Sequence, residues 1–252
     1  MGIYAITGGT MGIGGAVKKK LEDQGDRVIN IDLKDADIEA DLSTHKGRKR
    51  AVDGVHELTD TLDGFVGVAG LGPHVKDYGL IVSVNYFGAT EVIEGVKDIL
   101  AQQKGKAVLI SSNSAAMDGL NPELVAAMVD ENDEEKATEL ANSLDGFNAY
   151  AGSKRALSCW ARRNAPLWIR DGIRLNTVAP GSTQTPLLEG TLASKEFGKL
   201  TRSFPVPRGA IGQPDEIAEV VLFLLSEKAS YCCGNVFFVD GGTDAMLRPN
   251  QF

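Results

Sequence analysis

Short apolar runs alternate along this chain with longer stretches in which apolar positions recur at helical spacing. Ile3 to Thr7 reads as a first strand, followed by a helix from about Ile13. Arg27 to Asp32 is the second strand, and Ile38 to Leu42 a weak third ahead of a polar helix from about Ser43. Phe65 to Val68 is the fourth, and a long helical stretch covers about Val82 to Gln103. Ala107 to Ser111 is the next strand, Asn148 to Asp171 the next helix, and Arg174 to Val178 and Val236 to Val239 the last strands. Strand and helix alternation of this kind predicts parallel pairing through right-handed crossovers. No internal repeat or low-complexity linker interrupts it, so residues 1–252 are predicted to form one α/β domain.

Two segments break the alternation. Met117 to Phe147 carries the acidic run Asp130-Glu131-Asn132-Asp133-Glu134-Glu135, with Leu124, Val125 and Met128 at helical spacing before it. The acidic run reads as a solvated face. Thr185 to Pro207 is a long excursion after Pro180-Gly181. Long connections in compact domains are usually lids, binding loops or interface elements.

The segment Tyr4-Ala5-Ile6-Thr7-Gly8-Gly9-Thr10-Met11-Gly12-Ile13-Gly14 is where chemistry first enters. A strand ends in Thr7, glycines follow at Gly8, Gly12 and Gly14, and a helix begins. Free N–H groups and the dipole of a helix start attract a phosphate or pyrophosphate, and glycines let the backbone approach it. The spacing is G-x-x-x-G-x-G rather than G-x-G-x-x-G, but the physical logic is the same. Asp32 follows Gly14 by 18 positions at the end of the second strand. A carboxylate there reaches an adenosine ribose and repels a 2′-phosphate, which favours NAD, with NADP the lesser alternative. Asp41-Leu42 is a weaker candidate for adenine, through a hydrogen bond and apolar packing.

Tyr150 and Lys154 lie four positions apart in a helical stretch, hence on one face. A phenol titrates near ~10, and a nearby cation draws it towards the working range. Ser111-Ser112 end a strand that stops beside the same cleft, where a serine hydroxyl donates to a carbonyl oxygen gaining charge. Asn85 is a polar residue in a mostly apolar helix, read either as a helix distortion that holds a water or as a buried, satisfied amide.

Composition narrows the partners. Hydrophobic content of 43%, charged content of 24% and a net charge of −8 describe an ordinary globular protein and argue against nucleic acid or an anionic membrane surface as partner. No apolar run approaches a membrane span, and the N-terminal apolar run reads as a strand, not a signal. Cys159, Cys232 and Cys233 show neither metal-ligand spacing nor an easy bridge, so free thiols in a cytoplasmic protein are expected. No metal site is expected.

Together these residues resemble the short-chain dehydrogenase/reductase superfamily. The resemblance rests on the Thr7 to Gly14 loop, Asp32, Ala69-Gly70, Asn85, Ser112, Tyr150 with Lys154, Asn176 to Gly181 and Asp240-Gly241-Gly242, in that order. Gly67-Val68-Ala69-Gly70 departs modestly from the family's Asn-Asn-Ala-Gly. Within the family, the likeness is greatest to the bacterial 3α-hydroxysteroid dehydrogenase/carbonyl reductase subgroup. It is carried by Ala40-Asp41-Leu42-Ser43-Thr44, Gly70-Leu71-Gly72-Pro73, Val82 to Glu91, Thr185-Pro186-Leu187-Leu188 and Asp240 to Phe252. The 38 positions between Ser112 and Tyr150 match that subgroup's long insertion.

The resemblance implies a Rossmann fold: a doubly wound parallel sheet of about seven strands with helices on both faces. It implies that Ser112 holds the substrate oxygen, that Tyr150 is general acid or base, and that Lys154 lowers the Tyr150 pKa and holds a ribose. Asn85 would anchor a proton-relay water. The cofactor would lie against Gly8, Thr10, Met11, Gly12, Ile13, Gly14, Asp32, Asp41, Leu42, Ala69, Gly70, Tyr150, Lys154, Pro180 and Gly181, with Thr185 and the Thr183 backbone on its carboxamide. The expected reaction is hydride transfer between NAD(H) and a secondary alcohol or ketone, a 3α-hydroxy/3-oxo steroid being favoured. The 117–147 insertion and the 185–207 loop would supply apolar walls. A broad carbonyl reductase, a dehydrogenase of a cyclic or terpene alcohol, and a non-catalytic NAD-binding regulator are the alternatives. A homo-oligomer is expected, a dimer if the insertion blocks one of the family's helix contacts.

Overall fold

The computed structural model describes residues 1–251. Seven parallel strands form one sheet in the order β3-β2-β1-β4-β5-β6-β7. They are β1 (Ile3–Thr7), β2 (Arg27–Asp32), β3 (Ile38–Glu39), β4 (Gly64–Gly67), β5 (Lys106–Ile110), β6 (Arg174–Pro180) and β7 (Val236–Val239). From β1 the chain winds outward through β2 and β3, then returns to β4 on the other side of β1. That reversal opens a crevice at the carboxyl ends of β1 and β4.

Helices cover both faces, as the alternation predicts. On one face α1 (Gly12–Asp23) packs against α11 (Pro214–Leu225), and Val17, Leu21, Ile217, Val221 and Leu224 form a core with Ile6, Val66, Val108 and Val178 of the sheet. On the other, α2 (His45–Leu58), α3 (Tyr78–Val82), α4 (Gly88–Gly95), α5 (Lys97–Gln102) and α8 (Gly146–Trp168) bury Ala5, Ile29, Phe65 and Leu109. The side-chain period of 2 along each strand assigns alternate residues to the two cores.

Several boundaries differ from the sequence reading. Helix α11 was not anticipated, although Gln213 and Glu216 form a capping box and Pro214 opens the first turn. Strand β3 is two residues long, because the chain turns at Asp41, whose carboxylate accepts from the Ser43 N–H and hydroxyl. The long helix expected over 82–103 starts earlier, at Tyr78 under an Asp77 cap, and is divided by a π turn at Ser83–Phe87 and a break at Val96.

The insertion folds as α6 (Pro122–Val129) and α7 (Glu134–Ser143). Its apolar residues Leu124, Ala127, Met128, Ala137 and Ala141 are buried in the core shared with α3 and α8. That apolar surface is spent on the flank of the domain, which corrects the expectation that the insertion walls the cleft. The acidic run is the exposed face expected at Asp130, Glu131, Asn132, Asp133 and Glu135, with Glu134 the half-buried exception. Asp133 caps α7, Asp130 pairs with Arg163 at 2.6 Å, and Glu134 pairs with the buried Arg48. The 185–207 excursion forms α9 (Pro186–Ala193) and α10 (Gly198–Ser203), followed by a loop into α11, and α12 (Thr243–Leu247) ends the fold. No helix among the described residues is long and apolar enough to cross a membrane.

Candidate active site

Gly8 takes φ +72 and sits so close to β4's exit that a side chain there would meet Ala69 Cα and N at 2.8 Å. At Gly14 a Cβ would lie 2.0 Å from the Gly8 carbonyl oxygen, so the first turn of α1 closes onto the loop only without one. The Met11 N-cap makes no side-chain cap, which leaves the initial N–H groups of this twelve-residue helix open to an anion. Asn30, missed in the sequence, holds the loop from within β2: its Oδ1 accepts from Gly9 N at 3.0 Å and its Nδ2 donates to Thr10 Oγ1 at 3.2 Å. A buried Asn in an apolar strand was the available signal.

Asp32 ends β2 beside this loop, accepting from Thr10 N at 3.2 Å and from Leu33 N at 2.8 Å. A carboxylate has about four lone-pair sites, so acceptor capacity remains for a ribose diol. Asp41 is exposed, but its carboxylate is turned to Ser43. Leu42 is buried in the core beside Gly88, so apolar packing on adenine by this side chain does not fit.

The three residues proposed for chemistry converge. Ser111 Oγ bonds the Lys154 carbonyl at 2.9 Å and Ser158 Oγ at 2.7 Å, docking α8 onto the end of β5. Alternation then turns Ser112 the other way, into the cleft beside Tyr150. The Ser112 oxygen accepts from the Ser114 N–H at 3.2 Å and the Ser114 hydroxyl at 2.9 Å, which leaves its own proton to donate. Ser114 therefore belongs to the site, although nothing in its sequence context distinguished it from a cap.

Burial pushes the Tyr150 phenol above its ordinary value, and hydrogen bonding with Ser112 pulls against that rise. Burial drives the Lys154 ammonium down to about 8. The sequence reading had Lys154 lowering the phenol. The direction is the reverse here because desolvation dominates at Tyr150, and Lys154 Nζ is directed at the Ile110 carbonyl, 2.8 Å away. Its two remaining protons are available to a ribose.

Asn85 lies within the π turn, so the distortion was read correctly. Its amide, however, is satisfied by the backbone: Leu71 N donates to Oδ1 at 2.7 Å, and Nδ2 reaches Leu71 O at 3.1 Å and Ser153 Oγ at 3.2 Å. The side chain pins the Gly70-Leu71 loop. A side chain at Gly70 would stand 3.1 Å from Asn85 Oδ1 and 3.3 Å from Lys154 Nζ.

From the other side of the crevice, the loop after Pro180 and Gly181 approaches the glycine turn. A Cβ on Gly12 would meet Thr185 Cγ2 at 3.4 Å. Thr185 caps α9 and donates to the Thr183 carbonyl at 3.2 Å. Helix α9 reaches across to the exit of β4, where His74 Nδ1 and Thr191 Oγ1 are 3.0 Å apart. A groove with anion-binding N–H groups at one end and a Ser-Tyr-Lys set at the other fits a dinucleotide. No three His, Cys, Asp or Glu are grouped to hold a metal ion among the described residues.

Comparison with known proteins agrees. The pattern of the family described as short chain dehydrogenase matches residues 3–123, and that described as enoyl-(acyl carrier protein) reductase matches residues 136–244. The interval between them falls around the junction of α6 and α7. The chain is 42% identical, over all of both chains, to the 3-alpha-hydroxysteroid dehydrogenase/carbonyl reductase of Comamonas testosteroni. It is 30% identical to a coniferyl-alcohol dehydrogenase of Pseudomonas sp., with 94% of each chain covered. Among solved structures, the 3-alpha-hydroxysteroid dehydrogenase of Pseudomonas sp. B-0831 complexed with NADH superposes with a TM-score of 0.96 at 45% identity, covering 99% of this chain and 100% of that one. By sequence and by fold, this chain belongs to the short-chain dehydrogenase/reductase family.

Proposed function

We propose that this protein interconverts a secondary alcohol and a ketone with NAD(H), and that its substrate is a 3α-hydroxy/3-oxo steroid. The observation that carries the chemistry is the hydrogen bond between Ser112 and Tyr150, with Lys154 on the Ile110 carbonyl at the end of β5, joined to the dinucleotide loop through Ala69 and Gly70. The steroid assignment rests on the full-length likeness to two 3-alpha-hydroxysteroid dehydrogenases. Incubation of the purified protein with NAD and androsterone should form NADH. Turnover confined to small sugars or acyl thioesters would remove the steroid reading.

The glycine loop from Gly8 to Gly14 would hold the pyrophosphate, Asp32 the adenosine ribose, and Thr183 and Thr185 the carboxamide. A nicotinamide cofactor held there would supply the hydride donor and acceptor for the substrate carbon. Ser112 donates to the substrate oxygen as charge develops there. Tyr150 gives that oxygen a proton in reduction and takes it in oxidation. Lys154 would hold a ribose with the protons that the Ile110 carbonyl leaves free. Burial raises the phenol pKa, so Tyr150 can donate its proton in reduction, and alcohol oxidation should gain as pH rises and the phenolate forms.

NAD is proposed over NADP because Asp32 stands where a 2′-phosphate would lie. Asp32→Ala should shift the NAD/NADP ratio of kcat/KM by about tenfold towards NADP, since it removes a like-charge contact. An unchanged ratio would assign the preference elsewhere. A homodimer is the proposed assembly, because α6 and α7 cover the flank formed by α3 and α8. A tetrameric mass in light scattering would refute it. The free thiols of Cys159, Cys232 and Cys233 suit a reducing cytoplasm.

A further inference from the structure

Arg48 is among the largest fully buried side chains of the protein, and its partners come from four separate segments. Nε donates to the Leu42 carbonyl at 2.8 Å, and one terminal nitrogen donates to the Ser43 and Ser83 carbonyls, both at 3.2 Å. The same guanidinium pairs with Glu91 of α4 at 2.8 Å and takes Glu134 of α7 in a two-pronged contact at 2.5 and 2.7 Å. Glu134 is the residue by which the insertion enters the cluster. Burial works to raise its carboxyl pKa, but the hydrogen bonds from Arg48 and Ser83 and the Arg48 charge outweigh this and hold it below the ordinary range. The remaining polar neighbour is the exposed His45, 3.4 Å from Glu91.

A buried ion cluster seldom adds net stability over apolar packing, so its geometry matters more than its energy. Here the geometry points at the cofactor groove. Two of the three carbonyls that Arg48 holds belong to the loop Asp41-Leu42-Ser43, which the sequence reading places at the adenine end. The third, Ser83, opens the π turn whose Asn85 pins Leu71. Arg48 cannot set those carbonyls unless its fork is itself fixed, and a planar guanidinium is fixed best by a carboxylate that meets it with both oxygens.

We propose that Glu134, acting through Arg48, is a positioning residue for cofactor binding: the insertion braces the adenine-side loop against the body of the domain. This rests on the reading of Asp41–Leu42 as the adenine end of an NAD site. The insertion thus works from the flank, without lining the cleft.

The test compares Glu134→Ala with the unaltered protein in binding of NADH and of ADP-ribose, in kcat at saturating cofactor, in turnover with reduced nicotinamide mononucleotide, and in Tm. The expected result is a loss of about tenfold in affinity for NADH and ADP-ribose. The kcat at saturation and the rate with the mononucleotide, which has no adenosine, should stay within about twofold. A second variant, Arg48→Met with Glu134→Leu, keeps the volume and removes both charges. It should regain Tm without regaining ADP-ribose affinity. Unaltered affinity in Glu134→Ala, equal harm to both cofactors, or affinity restored together with Tm in the double variant would each overturn the proposal. Failure of the unaltered protein to bind NADH or ADP-ribose would instead remove the reading on which it rests.

Discussion

Tyr150→Phe should lower turnover in both directions by about a thousandfold while leaving NADH affinity within about twofold of the original. The substitution removes one hydroxyl from a side chain whose ring stays packed between α8 and the cleft. It takes away the phenolic proton donor hydrogen-bonded to Ser112. Ser112 remains held by Ser114 and can still polarise a carbonyl, so the residual rate reports that contribution alone. The rise of alcohol oxidation with pH should vanish along with the activity, because that rise is the deprotonation of this phenol. Steady-state rates across pH, with NADH binding followed by fluorescence, decide the matter. Loss of cofactor affinity in step with turnover would mean that the tyrosine binds rather than reacts.

Lys154→Met should abolish useful turnover, weaken cofactor binding and at the same time stabilise the fold. Burial has driven this ammonium from its ordinary 10.5 to about 8, so the charged form is held at a cost at neutral pH. A folded pKa below the unfolded one means that the unfolded chain binds more protons between about 8 and 10.5. Stability of the unaltered protein therefore rises with pH through that window, and the penalty is complete below it. Methionine fills the same space without the charge. It should gain about 1–3 kcal/mol at pH 7, less what the Ile110 carbonyl loses as an acceptor, and should lack the rise. Urea denaturation at pH 7 and pH 9.5 separates the cases. A variant less stable than its parent at pH 7, or one that keeps the rise, would show that this lysine is not the strained group.

The same two residues show how far the sequence reaches. A tyrosine and a lysine four apart on a helix must share a face, because 3.6 residues make a turn, and this needed no structure. The direction of their pKa shifts was not legible. It depends on how many atoms surround each group and on where the lysine's hydrogen bond goes, and both are properties of α8 seated on β5. Ser111 and Ser112 make the same point. Adjacent serines at a strand end must face opposite ways, but which one meets the tyrosine is settled only by the docking of Ser111 on Lys154 and Ser158.

The parallel sheet, the anion-binding turn and the carboxylate after β2 followed from local spacing, since strand period, glycine sterics and helix dipoles act over a few residues. Helix α11 was written just as locally, in the capping box of Gln213 and Glu216, and could have been read. The destination of the insertion could not. Leu124, Ala127 and Met128 declare an apolar face without naming what covers it, and Glu134 looks like any other member of an acidic run until α2 brings Arg48 beneath it. Hydrophobic burial is non-directional, and a charge 86 positions away exerts no local preference. Only the closed tertiary structure decides which face meets which, and there a presumed solvated carboxylate becomes the anchor of a buried guanidinium.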